Sequence, residues 1–246
     1  MKTNANYMNI SKEEKLMYEI MKAIYDSGIP LSFKGSMVLK ACLLENGYAE
    51  ETRHTVDIDA NWYSTTPPSA KQIVESIQKA FNNYDINLNV NLYRMYDEGK
   101  SAGLEFFDKD TNEALFTMDI DVNKPPLETK IYEIDEICFY GATPSQMIAD
   151  KISAISSEKI FRRIKDVVDL YYISKVFVFK KEEILKILKN NGKVLGSFDG
   201  FLHKQNDLKH SYEKFRFNGN ANKPSFDEIY FCVKTYIKSI LPDEKF

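Results

Sequence analysis

The chain of 246 residues is 43% hydrophobic and 13% aromatic, which is enough apolar surface for one large or two small folded domains. Its formal net charge of −3 is too small to indicate a nucleic-acid-binding protein by itself. The three cysteines lie far apart, without the spacing of a zinc site or a disulfide framework. The sequence therefore argues against a zinc site and against a disulfide framework, and a reducing compartment is expected.

The beginning of the sequence lacks the apolar stretch of a signal peptide. No apolar run approaches the roughly 20 residues that a membrane-spanning helix needs. We therefore expect a cytoplasmic protein with no membrane partner.

The first half of the chain alternates between helical and extended patterns. Predicted helices cover about 11–26, 37–45 and 69–81, and predicted strands cover 31–33, 56–62, 86–93, 103–107 and 114–122. The first helix illustrates how its bounds arise, because Ser11 is a suitable N-cap and Gly28 and Pro30 follow its last turn. Together these elements predict a mixed sheet with flanking helices.

The pattern changes after Pro125 and Pro126. One further extended stretch is predicted over 131–140, Thr143 is a suitable N-cap, and the rest of the chain is predicted to be helical. The predicted fold class is therefore α+β, with an α/β domain over 1–142 followed by a helical domain over 143–246.

A turn with the sequence Lys34-Gly35-Ser36 lies between a short predicted strand and a predicted helix. Backbone N–H groups at such a turn, and at the N-terminus of the helix that follows, are suited to bind phosphate oxygens. The order of strand, glycine turn and helix therefore predicts a phosphate-binding turn.

Two aspartates, Asp57 and Asp59, lie on the next predicted strand. Side chains alternate between the two faces of a strand, so both carboxylates point to one face while Ile58 enters the core. Magnesium prefers oxygen ligands and usually takes one or two carboxylates together with substrate phosphates. The turn and this strand therefore predict a site for a metal-bound nucleotide, and His54 is interpreted as a lining residue.

Two-metal phosphoryl transfer needs a third carboxylate. The predicted strand over 116–122 carries Asp119 and Asp121 on one face and apolar residues on the other. If this strand lies beside the first, either aspartate could complete the site. The alternative is a half-exposed strand whose aspartates are simply solvated.

These motifs resemble those of the nucleotidyltransferase-like AbiEii/AbiGii toxin family, a branch of the polymerase-β-type nucleotidyltransferase superfamily. The resemblance extends over positions 31–173. The matching motifs, in family order, are Lys34-Gly35-Ser36, Arg53-x-Thr55-x-Asp57-x-Asp59, Ile120-Asp121-Val122, Lys151-x-x-Ala154 and Arg162-x-x-x-Asp166-x-x-Asp169-Leu170-Tyr171.

The resemblance implies a nucleotidyltransferase-type sheet domain followed by a helical domain. It also implies that Gly35 and Ser36 bind a triphosphate. It further implies that Mg²⁺, or Mn²⁺ in its place, is held by three carboxylates, those of Asp57, Asp59 and Asp121. The other residues that match the family near the nucleotide are Lys34, Arg53, Thr55 and Lys151.

Lys151 and Asp166 are predicted to act together. On one unbroken helix they would lie about 22 Å apart, because each residue advances the helix by about 1.5 Å. The sequence Ser156-Ser157-Glu158 predicts a helix stop and a new N-cap, which would let both groups reach one cleft. Lys151 would then neutralise phosphate charge, and Asp166 would position the acceptor or orient Lys151. Asp169 is interpreted as a cap or ion-pair partner.

Positive charge is concentrated between Lys151 and Lys193, where the sequence has eleven Lys or Arg residues and only five Asp or Glu residues. This excess indicates either a solvated helix surface or a contact surface for a polyanion. The resemblance implies an NTP-dependent toxin that releases pyrophosphate, has an antitoxin partner, and modifies an acceptor such as a tRNA 3′ end or a protein. The alternatives are a non-catalytic nucleotide-binding or partner-binding module and a small-molecule nucleotidyltransferase.

Overall fold

A computed structural model describes residues 10–48, 53, 55–64, 66, 68–96, 101–122, 124–217 and 223–240. The chain divides into two compact units, one formed by Met1–Gly47 with Thr55–Ala142 and the other by Tyr48–His54 with Thr143–Phe246. The division after Ala142 falls where the sequence places a domain boundary. The short segment Tyr48–His54, however, belongs to the helical unit.

The first unit contains three helices and a seven-stranded sheet within the described ranges. Its elements in chain order are α1 (Lys12–Asp26), β1 (Leu31–Lys34), α2 (Gly35–Glu45), β2 (Asp57–Trp62), α3 (Ala70–Asn83), β3 (Leu88–Tyr96), β4 (Ser101–Asp108), β5 (Ala114–Asp121), β6 (Thr129–Ile134) and β7 (Ile137–Ala142). The mixed sheet and its flanking helices confirm the predicted architecture.

The strand order in the sheet is β3-β4-β5-β2-β1-β7-β6. The pairs β2–β5 and β1–β7 are parallel, and the other neighbours are antiparallel. Strand β2 therefore lies between β1, which leads into the glycine turn, and β5, which carries the second pair of aspartates. The topology brings all three predicted motifs to the middle of one sheet.

Capping and aromatic packing define the helices of this unit. Ser11 and Glu14 form a capping box at the start of α1, as Ser69 and Gln72 do at the start of α3. Tyr18 on α1 is fully buried, stacks on Phe139 of β7 and donates a hydrogen bond to the Met37 carbonyl at 2.9 Å. These contacts attach α1 to both the sheet and α2.

The extended stretch predicted over 131–140 is wrong in one respect, because it is a hairpin of two strands. Ile134 pairs with Ile137, and the turn between them consists of Asp135 and Glu136, with Asp135 at a φ of 50°. Two-residue hairpin turns favour Asn-Gly or Asp-Gly, and neither dipeptide occurs here. The turn therefore had no clear sequence signal.

The second unit is helical over its described residues apart from an isolated β-bridge between Arg53 and Phe217. Its elements are α4 (Pro144–Ile155), a 3₁₀ turn (Ile160–Arg163), α5 (Ile164–Val176), α6 (Lys181–Asn190), α7 (Asp199–His203), α8 (Gln205–Glu213) and α9 (Phe226–Ile240). Helix α4 packs on α5 and α6, and α5 packs on α9. Across the described parts of both units, no helix combines the length and apolarity needed to cross a bilayer.

The predicted break between α4 and α5 is confirmed, but the new N-cap predicted at Ser156-Ser157-Glu158 is wrong. The 3₁₀ turn begins after Lys159 and α5 begins after Arg163, neither with a side-chain cap. Ser156 and Ser157 donate side-chain hydrogen bonds back to the carbonyls of Ser153 and Ala154, at 2.7 and 2.9 Å. Such bonds satisfy carbonyls that the ending helix leaves without partners. The chain can therefore turn before α5 begins.

Candidate active site

The glycine turn connects β1 directly to α2. Lys34 is extended, whereas Gly35, the first residue of α2, has a φ of 75°, a conformation that residues with a β-carbon rarely adopt. A β-carbon on Gly35 would also overlap the carboxylate of Asp59, whose Cγ would lie 3.2 Å from it. The backbone angle at this position therefore favours glycine, and a β-carbon would force the Asp59 carboxylate to move.

Ser36 follows the turn and is 6% exposed. Within the described part of the chain, its buried hydroxyl has no hydrogen-bond partner. No side chain caps the N-terminus of α2, so the first N–H groups of this helix are not satisfied by a side-chain cap. A buried hydroxyl and a helix N-terminus at one turn suit a phosphate group.

Four aspartates share one face of two adjacent parallel strands. In the register, Asp57 pairs with Thr117, Asp59 pairs with Asp119, and Asp121 follows two residues later on the same face. The residues between them on both strands are fully buried, as the alternation of a strand requires. The strand pairing therefore places Asp119 beside Asp59, with Asp57 two positions before this pair and Asp121 two positions after it on the same face.

Two cationic side chains neutralise the β5 carboxylates. Lys34 Nζ lies 2.5 Å from Asp121 Oδ2. Arg94 Nη2 donates to both oxygens of Asp119, at 2.8 Å to Oδ1 and 2.6 Å to Oδ2. Each β5 aspartate therefore has its own counter-ion.

The donor set of this face consists of oxygen ligands, which suit Mg²⁺ or Mn²⁺. However, the described residues include no group of three or more His, Cys, Asp or Glu side chains arranged to hold a metal ion. The expected set of Asp57, Asp59 and Asp121 thus shares one face without forming such a group. The partnerless Ser36 hydroxyl, and the glycine that the Asp59 carboxylate requires, fit a metal-bound triphosphate at this turn.

A buried ionic cluster occupies the helical unit. Lys151 Nζ lies 2.6 Å from Asp169 Oδ2 and 3.7 Å from Asp166 Oδ1. Arg53 donates from Nε and Nη2 to the two oxygens of Asp169, at 2.9 and 3.3 Å. Asp169 is thus the ion-pair partner that the sequence predicts, and it holds two cations that are 98 residues apart, at positions 53 and 151.

Burial and charge act in opposite directions on this cluster. Burial alone would raise the pKa of Asp169, but Lys151 and Arg53 outweigh it and lower that pKa to about 2. Burial would likewise lower the pKa of Lys151, yet the two nearby carboxylates raise it. Lys151 and Asp169 are therefore both held in their charged forms.

Asp166 behaves differently from Asp169. Burial raises its pKa, against the opposing attraction of Lys151. Its Oδ2 atom has no hydrogen-bond partner among the described residues, although Arg163 Nη1 lies 3.8 Å away. Asp166 is therefore the acidic group of the cluster that retains an unused acceptor atom.

Two of the residues expected near the nucleotide are paired or buried. Arg53 belongs to the helical unit, where Asp169 holds its guanidinium. Thr55 belongs to the sheet unit and is 3% exposed. His54 lies outside the described residues.

Sequence reasoning did not identify Arg94 as part of this face. The available signal was Gly103, because a glycine inside a strand often marks a close approach of another group. A β-carbon on Gly103 would lie 2.6 Å from Arg94 Cγ and 2.8 Å from a ring carbon of Tyr93. The glycine thus provides the space through which Arg94 reaches Asp119.

A mixed sheet that joins a Gly-Ser turn at a helix N-terminus to two aspartate-bearing parallel strands defines a nucleotidyltransferase-type domain. Comparison with family models gives the family. The model of the AbiEii nucleotidyltransferase toxins of type IV toxin–antitoxin systems matches residues 16–230, and the chain belongs to this family of enzymes. The predicted family resemblance is confirmed.

One solved structure supports the fold, namely MenT4, a nucleotidyltransferase toxin from Mycobacterium tuberculosis H37Rv, with a TM-score of 0.59 and 13% identity over 95% of this chain and 85% of that one. The comparison also finds an antigenic nucleotidyltransferase-like protein from Paracoccidioides brasiliensis, with a TM-score of 0.48 and 12% identity over 82% of this chain and 93% of that one. A search among curated proteins finds no match.

Proposed function

We propose that this toxin transfers a nucleoside monophosphate from a metal-bound NTP to a hydroxyl group of an RNA acceptor, such as a tRNA 3′ end. The observation that carries this proposal is the close approach of Gly35 to Asp59. It joins a phosphate-binding turn to a carboxylate that suits the metal of the same nucleotide.

Each group of the sheet unit has a distinct role in this proposal. The α2 N-terminus and the Ser36 hydroxyl bind the triphosphate, and Asp57, Asp59 and Asp121 hold the divalent cation. When bound, such a cation stabilises charge that develops on the phosphate oxygens. Lys34, which pairs with Asp121 in the structure, contributes positive charge to the triphosphate in this proposal.

The reaction forms one bond and breaks another. The acceptor hydroxyl oxygen attacks the α-phosphorus, the bond between the α-phosphorus and the bridging oxygen breaks, and pyrophosphate leaves with that oxygen. A carboxylate of the aspartate face accepts the hydroxyl proton. This scheme requires no oxidant and no second substrate beyond the NTP and the acceptor.

The helical unit carries the other charged groups of the proposal. Lys151 keeps a fixed positive charge, and the neighbouring Asp166 keeps a buried Oδ2 atom without a hydrogen-bond partner among the described residues. Lys159, Arg162 and Lys165 are exposed near the 3₁₀ turn and suit the phosphates of an RNA. The toxin family also supports an antitoxin as the protein partner of this chain.

The test incubates the purified protein with each α-labelled NTP, a divalent cation and total cellular RNA or protein. We expect label in RNA, release of pyrophosphate, and neither with Asp59→Asn. Label in a protein band would show that the acceptor is a protein hydroxyl and not RNA. NTP binding without any transfer, in the presence of all acceptors, would instead indicate a binding module.

A further inference from the structure

A β-bulge in β3 determines which face of the sheet Arg94 occupies. Before the bulge, Leu88 and Val90 point into the core, so simple alternation would place Arg94 on the core side as well. The pairing with β4 skips from Leu92 to Arg94 and leaves Tyr93 as the extra residue. Because one extra residue is inserted, the side chains of the later residues of β3 point to the opposite face of the sheet. Arg94 therefore lies on the aspartate face.

Arg94 then crosses β4 to reach β5. Its register partner on β4 is Gly103, and the register partner of Gly103 on β5 is Asp119. The arginine side chain passes over this glycine at a distance that excludes a β-carbon. The bulge, the glycine and the arginine together form a path from the edge of the sheet to Asp119.

Aromatic rings hold the guanidinium at the end of that path. The Arg94 Cζ atom lies 5.2 Å from the ring centroids of both Tyr93 and Tyr96. Burial, and then the nearby charges of Asp121 and Asp119, raise the pKa of Tyr96. Arg94 thus contacts two rings and both oxygens of one aspartate.

The contact of Lys34 with Asp121 is less extensive, because Lys34 reaches a single oxygen, Oδ2, and a lysine ammonium is a point charge on a flexible stem. Asp119 has both oxygens engaged by Arg94, whereas the contact of Lys34 leaves Asp121 Oδ1 for another partner. The two β5 aspartates therefore differ in what they can offer a metal ion.

We propose that Arg94 is a positioning residue that withholds Asp119 from the divalent cation, so that Asp57, Asp59 and Asp121 bind it. This inference rests on the proposed function, because it assumes a metal-bound nucleotide at the aspartate face. Asp119 is the register partner of Asp59. Without Arg94, the carboxylate of Asp119 would therefore compete for the cation that Asp59 binds. Arg94 thereby determines the composition of the metal site rather than contacting the reacting atoms.

The experiment measures Mn²⁺ binding to the nucleotide-free protein by calorimetry and by electron paramagnetic resonance. Removing Arg94 exposes one more negative charge near the cation, so Arg94→Ala should bind Mn²⁺ roughly threefold to tenfold more tightly. Adding Asp119→Asn to that variant should restore the wild-type affinity. Asp119→Asn alone should weaken binding less than about threefold, because Arg94 can then turn to solvent.

Two further variants separate positioning from general stability. Gly103→Ala retains both charges but blocks the path of Arg94, so it should bind Mn²⁺ more tightly, as Arg94→Ala does. Lys109→Ala removes an exposed cation of the β4–β5 turn and should leave the affinity unchanged. Thermal unfolding of every variant checks that the sheet remains folded.

The outcomes distinguish this inference from the function on which it rests. If Asp119→Asn abolishes Mn²⁺ binding as Asp59→Asn does, Asp119 is a ligand and the inference is wrong while the proposed function stands. If Arg94→Ala is folded and binds Mn²⁺ as the wild type does, the arginine has no positioning role. If the wild-type protein binds no Mn²⁺ with or without NTP, the metal site and this inference both fail.

Discussion

Gly35 lies so close to the carboxylate of Asp59 that no β-carbon fits between them. The pairing of β1 with β2 produces this contact, because Lys34 and Asp59 are register partners and Gly35 is the next residue. The strand pairing therefore places the glycine turn directly beside the aspartate strand. A change in either should affect nucleotide binding without requiring a change in the fold.

Gly35→Ala should weaken NTP binding by at least tenfold, because the new methyl group would displace Asp59 and strain a backbone with a φ of 75°. The matched control is Gly47→Ala, since Gly47 has a φ of 74° but open space around its Cβ position. Calorimetry should give wild-type NTP affinity for the control only. Equal losses in both variants would attribute the effect to backbone strain alone.

Asp57→Asn and Asp59→Asn should each reduce transfer by at least about a hundredfold, because each removes a charged ligand of a cation that stabilises the transition state. Both residues are partly exposed, so circular dichroism should show an intact fold. Asp110→Asn, in an exposed turn, serves as the control for the loss of one carboxylate. A folded variant of either strand residue with normal turnover contradicts the metal site.

Asp169→Asn should lower the free energy of unfolding by about 3–5 kcal/mol, because it leaves the buried cations of Lys151 and Arg53 without their shared counter-charge. The control is Asp150→Asn, which breaks a partly exposed pair with Lys193 and should cost at most about 1 kcal/mol. Denaturant titration followed by far-UV circular dichroism measures both. Similar values for the two variants would refute a special role for Asp169.

The same aspartate should make the helical unit sensitive to acid. The pKa of Asp169 is lowered from 3.8 to about 2, so the stability it contributes is complete above about pH 4 and is lost as the pH falls toward 2. The loss should amount to about 2 kcal/mol. Unfolding measured between these pH values should show a smaller pH slope for Asp169→Asn than for the wild type.

Charge reversal at Lys159, Arg162 and Lys165 should raise the apparent KM for an RNA acceptor and leave NTP affinity nearly unchanged. Arg163 is left intact because it lies near Asp166. If all three residues contact phosphates, the logarithmic salt slope of RNA binding should decrease by roughly two. The control reverses the exposed residues Lys71, Lys109 and Lys209, which lie outside the basic stretch 151–193. Normal RNA modification by the first variant would favour a protein acceptor.

Local patterns in the sequence predicted much of the fold and part of the site. The alternation around Asp57 and Asp59 indicated a strand with two carboxylates on one face, and the pair Ser156 and Ser157 indicated a break between two helices. These features depend on neighbours within a few residues. They were therefore accessible from the chain alone, as was the glycine turn.

The tertiary structure decided which groups meet across long stretches of chain. Arg53 pairs with Asp169 because Tyr48–His54 belongs to the helical unit, and no local pattern signals a pairing across 116 residues. Arg94 reaches Asp119 only because a single extra residue in β3 reverses the facing of the strand. Helical and strand periods are properties of local backbone geometry, whereas strand register and ion-pair partners depend on how distant segments pack, so only the folded chain determines them.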